Sequence, residues 1–158
     1  MAIYLKYASI NGSVTEQGHS KWIEVDSFHF GVGRAIGTAA RGPTSREHSE
    51  PTLSEITVTK RMDAASPKLF LDAVAGQLDN KVQIHFTTTT KGKVETFLKF
   101  ELENTGLSAY SISSGGDMPV ESLSLNFTKI SKTFTDMGPN ISGSPETVGY
   151  DLKLMQKT

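Results

Sequence analysis

The chain has 158 residues, a formal net charge of −1 and no cysteine. That length fits a single domain, residues 1–158, with a core able to bury about two-thirds of the unfolded surface. The charge balance lacks the Lys and Arg excess that neutralises many phosphates, so no nucleic-acid partner is expected, and without cysteine there is no disulfide, thiolate nucleophile or Cys-based metal site.

The N-terminal MAIYLKYASI alternates at once, with Ile3, Leu5 and Tyr7 on one face. It lacks the basic segment and apolar stretch of a signal peptide, so cytoplasmic synthesis without a cleaved leader is expected. No run approaches the roughly twenty apolar residues that span a bilayer, and no membrane insertion is expected. Asn11-Gly12 marks a turn, and Gly18-His19 precedes a longer strand from about Ser20 to Gly33. Within it Ile23 and Val25 share one face while Phe28, Phe30 and Val32 have the opposite parity. A one-residue phase slip of this kind predicts a bulge near Asp26-Ser27.

Residues 37–51, GTAARGPTSREHSEP, form an extended polar loop between two strong strands. Loops of that length are usually functional or disordered, and this one reads either as a mobile surface loop or as an arm that orders on a partner. It carries Arg41, Arg46, Glu47 and Glu50 and no large apolar residue. Folding back on its own barrel would therefore bury little. Ser54 to Met62 alternates again, with Ile56, Val58, Lys60 and Met62 on one side. The pattern then changes to helical spacing. Ser66 reads as an N-cap, Pro67 as the first helical residue, and Gly76 as the stop of a helix over about residues 66–75. Leu69, Phe70 and Val74 form its apolar face.

Val82, Ile84 and Phe86, then Val94, Leu98, Phe100 and Leu102, flank Lys91-Gly92-Lys93 and predict a hairpin. Leu123, Leu125 and Phe127 follow, with a second phase change toward Ile130 and Phe134. The last alternation is Val148, Tyr150, Leu152 and Leu154. Frequent strands and one short helix point to an antiparallel barrel or sandwich.

Catalytic patterns are sparse. His19, His29, His48 and His85 have no metal-ligand spacing, and His85 reads as a solvated position on the polar face of its strand. Gly31 to Gly37 imitates a dinucleotide loop, but its last glycine is one position late and no helix follows. Glu101 and Glu103 share one strand face, the usual wet side of a sheet. No enzyme activity, catalytic residue, cofactor or metal is expected.

Several segments occur in a recognisable order. They are Lys21 to Phe28, the long glycine-punctuated loop, Ser54 to Lys60, the D-x-x-S-P-x-L of Asp63 to Leu69, and Val120 to Phe127. In that order and spacing, from Ile3 to Leu154, the chain resembles the haemolysin-coregulated proteins (Hcp), the tube subunits of the bacterial type VI secretion system. The resemblance implies a mainly β fold, a two-sheet antiparallel β-barrel with one short flanking α-helix. It also implies hexameric rings that stack into a hollow tube, sheath and spike proteins and effector cargo as partners, and export by the type VI apparatus. A wet lumen needs polar strand alternates, for which Gln83, His85, Thr87, Ser122, Ser124 and Asn126 are candidates. The resemblance puts the arm where rings or neighbouring subunits touch. The alternative is a monomeric small-ligand or carbohydrate-binding β-domain with Trp22 or Tyr110 as a stacking platform.

Overall fold

The computed structural model describes residues 1–37, 49–138 and 143–158. The fold is mainly β with one helix, as the alternation predicts. Strand β1 (Ala2–Tyr7) sits between β2 (Ile23–Val25) and the later β7 (Asn80–Thr90). Two short strands, β3 (Ser27–His29) and β4 (Val32–Gly33), follow β2. Among the described residues β4 pairs only with β5 (Thr52–Leu53), across the extended loop. Next come β6 (Ile56–Arg61) and α1 (Ser66–Ala75), then the hairpin of β7 with β8 (Lys93–Ser113). The chain ends on β9 (Val120–Asn126), β10 (Lys129–Phe134), β11 (Glu146–Asp151) and the short β12 (Gln156–Lys157). Lys91 and Gly92 both have positive φ, 50° and 77°, the conformation that a two-residue turn needs to match the twist of its strands.

Two antiparallel sheets share β8. Sheet A runs β12-β11-β10-β8-β7-β1-β2, and sheet B runs β3-β6-β9-β8. Their facing sides enclose Leu5, Tyr7, Ile23, Ile56, Val58, Ile84, Leu102, Leu123 and Leu125, all fully buried. Each phase change in the sequence is the point where the chain leaves one sheet for the other. The expected bulge in a strand from Ser20 to Gly33 is instead a corner. β2 pairs with β1 in sheet A, the chain turns at Asp26, and β3 pairs with β6 in sheet B. Turning keeps both apolar sets inward without an extra unpaired residue. β8 crosses between sheets at Asn104, whose φ is 52°. Its first part pairs with β7 and β10, and its second part, from Gly106, with β9. The change toward Ile130 is the third corner, from β9 to β10.

The helix has the predicted bounds but a different start and orientation. Ser66 is not the N-cap. That position is Ala65, which has no side-chain cap, so Pro67 lies at the second helical position. Ser66 is 3% exposed and donates its hydroxyl to Glu121 while accepting from the Asp63 N–H at 2.9 Å. The Asp63 carboxylate accepts the Ala65 N–H at 3.0 Å and supplies the local turn. Holding Ser66 inward fixes the helix phase. Leu69 is buried against the core, but Phe70 and Val74, expected on that face, are 55% and 68% exposed. Asp72, on the inner flank, accepts a 2.6 Å hydrogen bond from Tyr7 Oη, and burial together with this bond raises the Tyr7 pKa.

Candidate functional site

The six polar alternates fall on different sheets. Gln83 and His85 lie on the outer face of sheet A, paired through β1 and β8 with Lys6, Tyr4, Glu101 and Lys99. Ser122, Ser124 and Asn126 lie on the outer face of sheet B. The two outer faces look away from a common core, so one channel cannot be lined by both sets. Thr87 belongs to neither. A register shift between Phe86 and Thr87 rotates it inward, where it is 2% exposed and donates to the Ala2 carbonyl at 3.1 Å. Strand alternation read without that irregularity puts Thr87 on the wrong side.

The outer face of sheet B is organised in rows. Ser27, Thr59, Ser122 and Ser111 form one row across all four strands, and His29, Thr57, Ser124 and Ala109 form the next. These rows hold six hydroxyls and no Asp, Glu, Lys or Arg. Ser27 and Thr59 hydroxyls bond across the strands at 2.5 Å. A surface of this kind binds water and offers no fixed charge to a passing molecule. Among the described residues, β3 and the second part of β8 each pair with a strand on one side only. Sheet B therefore ends in an unpaired edge on both sides, and unpaired edges are templates for strands of another chain.

The base of the extended loop is closed. The Val32–Leu53 and Gly33–Thr52 pairs are extended by a clasp in which the Ser49 N–H donates to the Ala35 carbonyl at 2.9 Å and the Ala35 N–H to Ser49 Oγ at 3.0 Å. Glu50 is exposed beside it. Arg41, Arg46 and Glu47 lie outside the described residues. Next to the base, Phe30, Val32, Leu53, Val148 and Tyr150 line an apolar groove of about 280 Å³.

Two polar clusters escaped the sequence reading. The first is built on two fully buried side chains, Lys60 and Glu121. Lys60 Nζ lies 2.8 Å from Glu121 Oε1 and 2.9 Å from Asp63 Oδ1, and it also donates to the Arg61 carbonyl. Glu121 further accepts the Ser66 and Tyr110 hydroxyls. Burial alone would raise the Glu121 pKa, but Lys60, Ser66 and Tyr110 outweigh it and hold the carboxyl below its ordinary value. Burial and the bond to Glu121 push Tyr110 up to about 12. Tyr110 is half-buried, with its hydroxyl committed to Glu121 and its ring 5.8 Å from that of Phe70. The only signal was parity, since alternation puts Lys60 beside Ile56 and Val58, and Glu121 beside Leu123.

The second cluster joins residues 66 positions apart. His19 Nδ1 lies 2.6 Å from Glu16 Oε2, and its Nε2 lies 2.9 Å from His85 Nδ1. Tyr4 stacks on His19 at 4.6 Å, and Trp22 packs against both rings. His85 is thus half-buried and partnered, not a solvated strand position. Among the described residues no group of three or more His, Asp or Glu side chains is arranged to hold a metal ion, and no helix is long and apolar enough to cross a membrane.

Comparison with known proteins fits this architecture. No curated protein matches the chain. The solved structure of a type six secretion system protein is 28% identical and superposes with a TM-score of 0.89 over 99% of both chains. Hcp1 from Salmonella typhimurium, 19% identical, has a TM-score of 0.75 over 99% of this chain and 98% of its own. A type VI secretion system effector from Yersinia pestis, 17% identical, has a TM-score of 0.75 over 94% of this chain and 98% of its own. These last two likenesses are of fold. The family model described as type VI secretion system effector, Hcp, matches residues 4–134, so the chain belongs to the Hcp family of the type VI secretion system.

Proposed function

We propose that this chain is a tube subunit that closes into a six-membered ring through sheet B, with rings stacking into a hollow tube that carries effector proteins. The observation that carries this reading is the form of sheet B, which has four strands, two edges unpaired among the described residues, and an outer face whose two central rows carry hydroxyls and no Asp, Glu, Lys or Arg, with Arg61 at its margin. A cyclic assembly needs one surface at each end of the subunit that meets the other end of its neighbour. The β3 edge of one chain and the β8 edge of the next meet that need and would make sheet B continuous around the ring. Its outer face would then line the lumen, with Ser122, Ser124 and Asn126 inward, and Gln83 and His85 on the outside. The hydroxyl rows retain their water and offer little charge to hold cargo, Arg61 standing at the end of β6 beyond them.

Sheath and spike proteins are the further partners that this role entails. No step of it calls for turnover, cofactor or metal. Native mass spectrometry tests the reading. The expected species is six chains of 17.1 kDa each, seen as a ring with an open centre by electron microscopy. A single chain at micromolar concentration overturns it.

A further inference from the structure

The Glu16–His19–His85 chain has no part in the assembly described above, yet it joins two segments 66 positions apart in the sequence. The segment from Gly12 to Trp22 is folded on itself by backbone bonds from Gly12 N–H to the Lys21 carbonyl, Val14 N–H to the Trp22 carbonyl and Lys21 N–H to the Val14 carbonyl. Its short 3-10 turn, Gln17–His19, is capped by the Glu16 carboxylate, which accepts the Gly18 N–H at 2.9 Å. This strap lies on the outer face of sheet A, and His19, 6% exposed, is its buried contact with Tyr4 of β1 and His85 of β7.

We propose that Glu16, His19 and His85 form a proton-counting latch that holds the strap closed with at most one added proton and releases it when both rings are protonated. The hydrogen-bond inventory requires this limit. With both rings neutral, His19 Nδ1–H donates to Glu16 and His19 Nε2 accepts from His85 Nδ1–H. With one added proton, His19 donates from both nitrogens and His85 Nδ1 accepts. A second proton puts two N–H donors face to face at 2.9 Å, where no hydrogen bond exists and two cations repel.

The charged and titratable surroundings act on the same pair. Glu16 favours one cation. Lys99 on β8 opposes charge on His85, Lys6 on β1 lies 6.0 Å from the Trp22 ring, and Glu24 on β2 faces Tyr4. Burial, with His19 and Lys99 adding to it, holds the His85 pKa down from 6.5 to about 4. An open strap returns His85 to its ordinary value, so the open form binds the proton first and the closed form loses ground as pH falls from 6.5 toward 4. Discounting for the half-exposed ring, the closed-to-open ratio should fall about 10- to 100-fold over that range.

The chain's single tryptophan, Trp22, touches both rings, at 4.8 Å from His19 and 4.6 Å from His85, and reports on the latch directly. Trp22 emission and acrylamide quenching are measured against pH together with far-UV circular dichroism. Quenching should rise at least about two-fold, with a midpoint between pH 6.5 and about 4, while the β signal is unchanged. His85→Gln should abolish this transition or move it below pH 4. In the parent, histidine ring NMR signals should move together as one shared proton is taken up, a readout independent of whether the variant folds. An unresponsive Trp22, an identical transition in His85→Gln, or two rings that titrate independently would overturn the latch.

Discussion

Glu121→Leu should lower stability by up to about 3–5 kcal/mol in urea unfolding, because it removes the fully buried one of the two carboxylates that compensate Lys60 and leaves only the partly exposed Asp63, 2.9 Å away. Lys60 and Glu121 are both fully buried, and their 2.8 Å contact joins β9 to β6. The same change removes the acceptor of the Ser66 and Tyr110 hydroxyls, and the buried Ser66 donor costs about 1–3 kcal/mol if it stays unsatisfied, the half-buried Tyr110 less. These effects share one network and do not add. Lys60→Met combined with Glu121→Leu removes both charges and should recover at least half of the loss. Since single domains are stable by only about 5–15 kcal/mol, the single variant approaches the limit of folding. The unfolding midpoints, compared at equal chain concentration, check this. A single variant as stable as its parent would mean that the network does not exist as described. The pair's second consequence is orientation. By holding Ser66 inward it sets which side of α1 meets the core, and so leaves Phe70, Leu71 and Val74 exposed.

The second large effect concerns the arm. Replacing residues 38–48 with a short Gly-Ser linker should leave the fold intact by circular dichroism and abolish tube formation, as rings stack poorly or fail to close. The first half of that expectation rests on the clasp at the base. Val32–Leu53, Gly33–Thr52 and the Ala35–Ser49 bonds, all made by residues outside the replaced segment, hold its two ends together. The second half rests on composition. Arg41, Arg46 and Glu47 have no large apolar neighbour in the arm, so we propose that a partner surface contributes the contacts, for which Arg–carboxylate pairs across an interface are suited. Electron microscopy of parent and shortened protein reads the result. Tubes formed equally by both would reduce the arm to a surface loop.

Much of the fold was legible because strand alternation records burial residue by residue. Ile3, Leu5 and Tyr7, or Leu123 and Leu125, face the core as their spacing required. The two phase changes were also real signals, but a change of phase does not tell a bulge from a corner, since both rotate the next side chain by one face. The crossing at Asn104 went unread although Leu102 and Leu107 have opposite parity, because the polar run Glu103 to Gly106 between them reads as a strand end rather than as a strand passing from one sheet to the other. Ser66-Pro67 imitated a cap, but the buried carboxylate of Glu121, 55 positions away, outcompeted the local backbone for the serine hydroxyl. The His19–His85 pair is of the same kind. Contacts between distant residues depend on sheet register, which local pattern does not encode, and so the polar clusters were the least legible part.

The most direct test of ring closure through sheet B exploits the absence of cysteine. Ser27→Cys and Ser111→Cys in one chain put thiols on the outer face of the two edge strands, β3 and β8. They stand at opposite ends of one row across Thr59 and Ser122. Three strand spacings, about 14 Å, separate them within a subunit, beyond the reach of a shorter bis-maleimide. In a ring whose sheet runs on from neighbour to neighbour the two edges adjoin, and a short bis-maleimide should give a denaturing-gel ladder that ends at six chains. Six-chain particles that yield only uncross-linked chains under these conditions would contradict closure through sheet B.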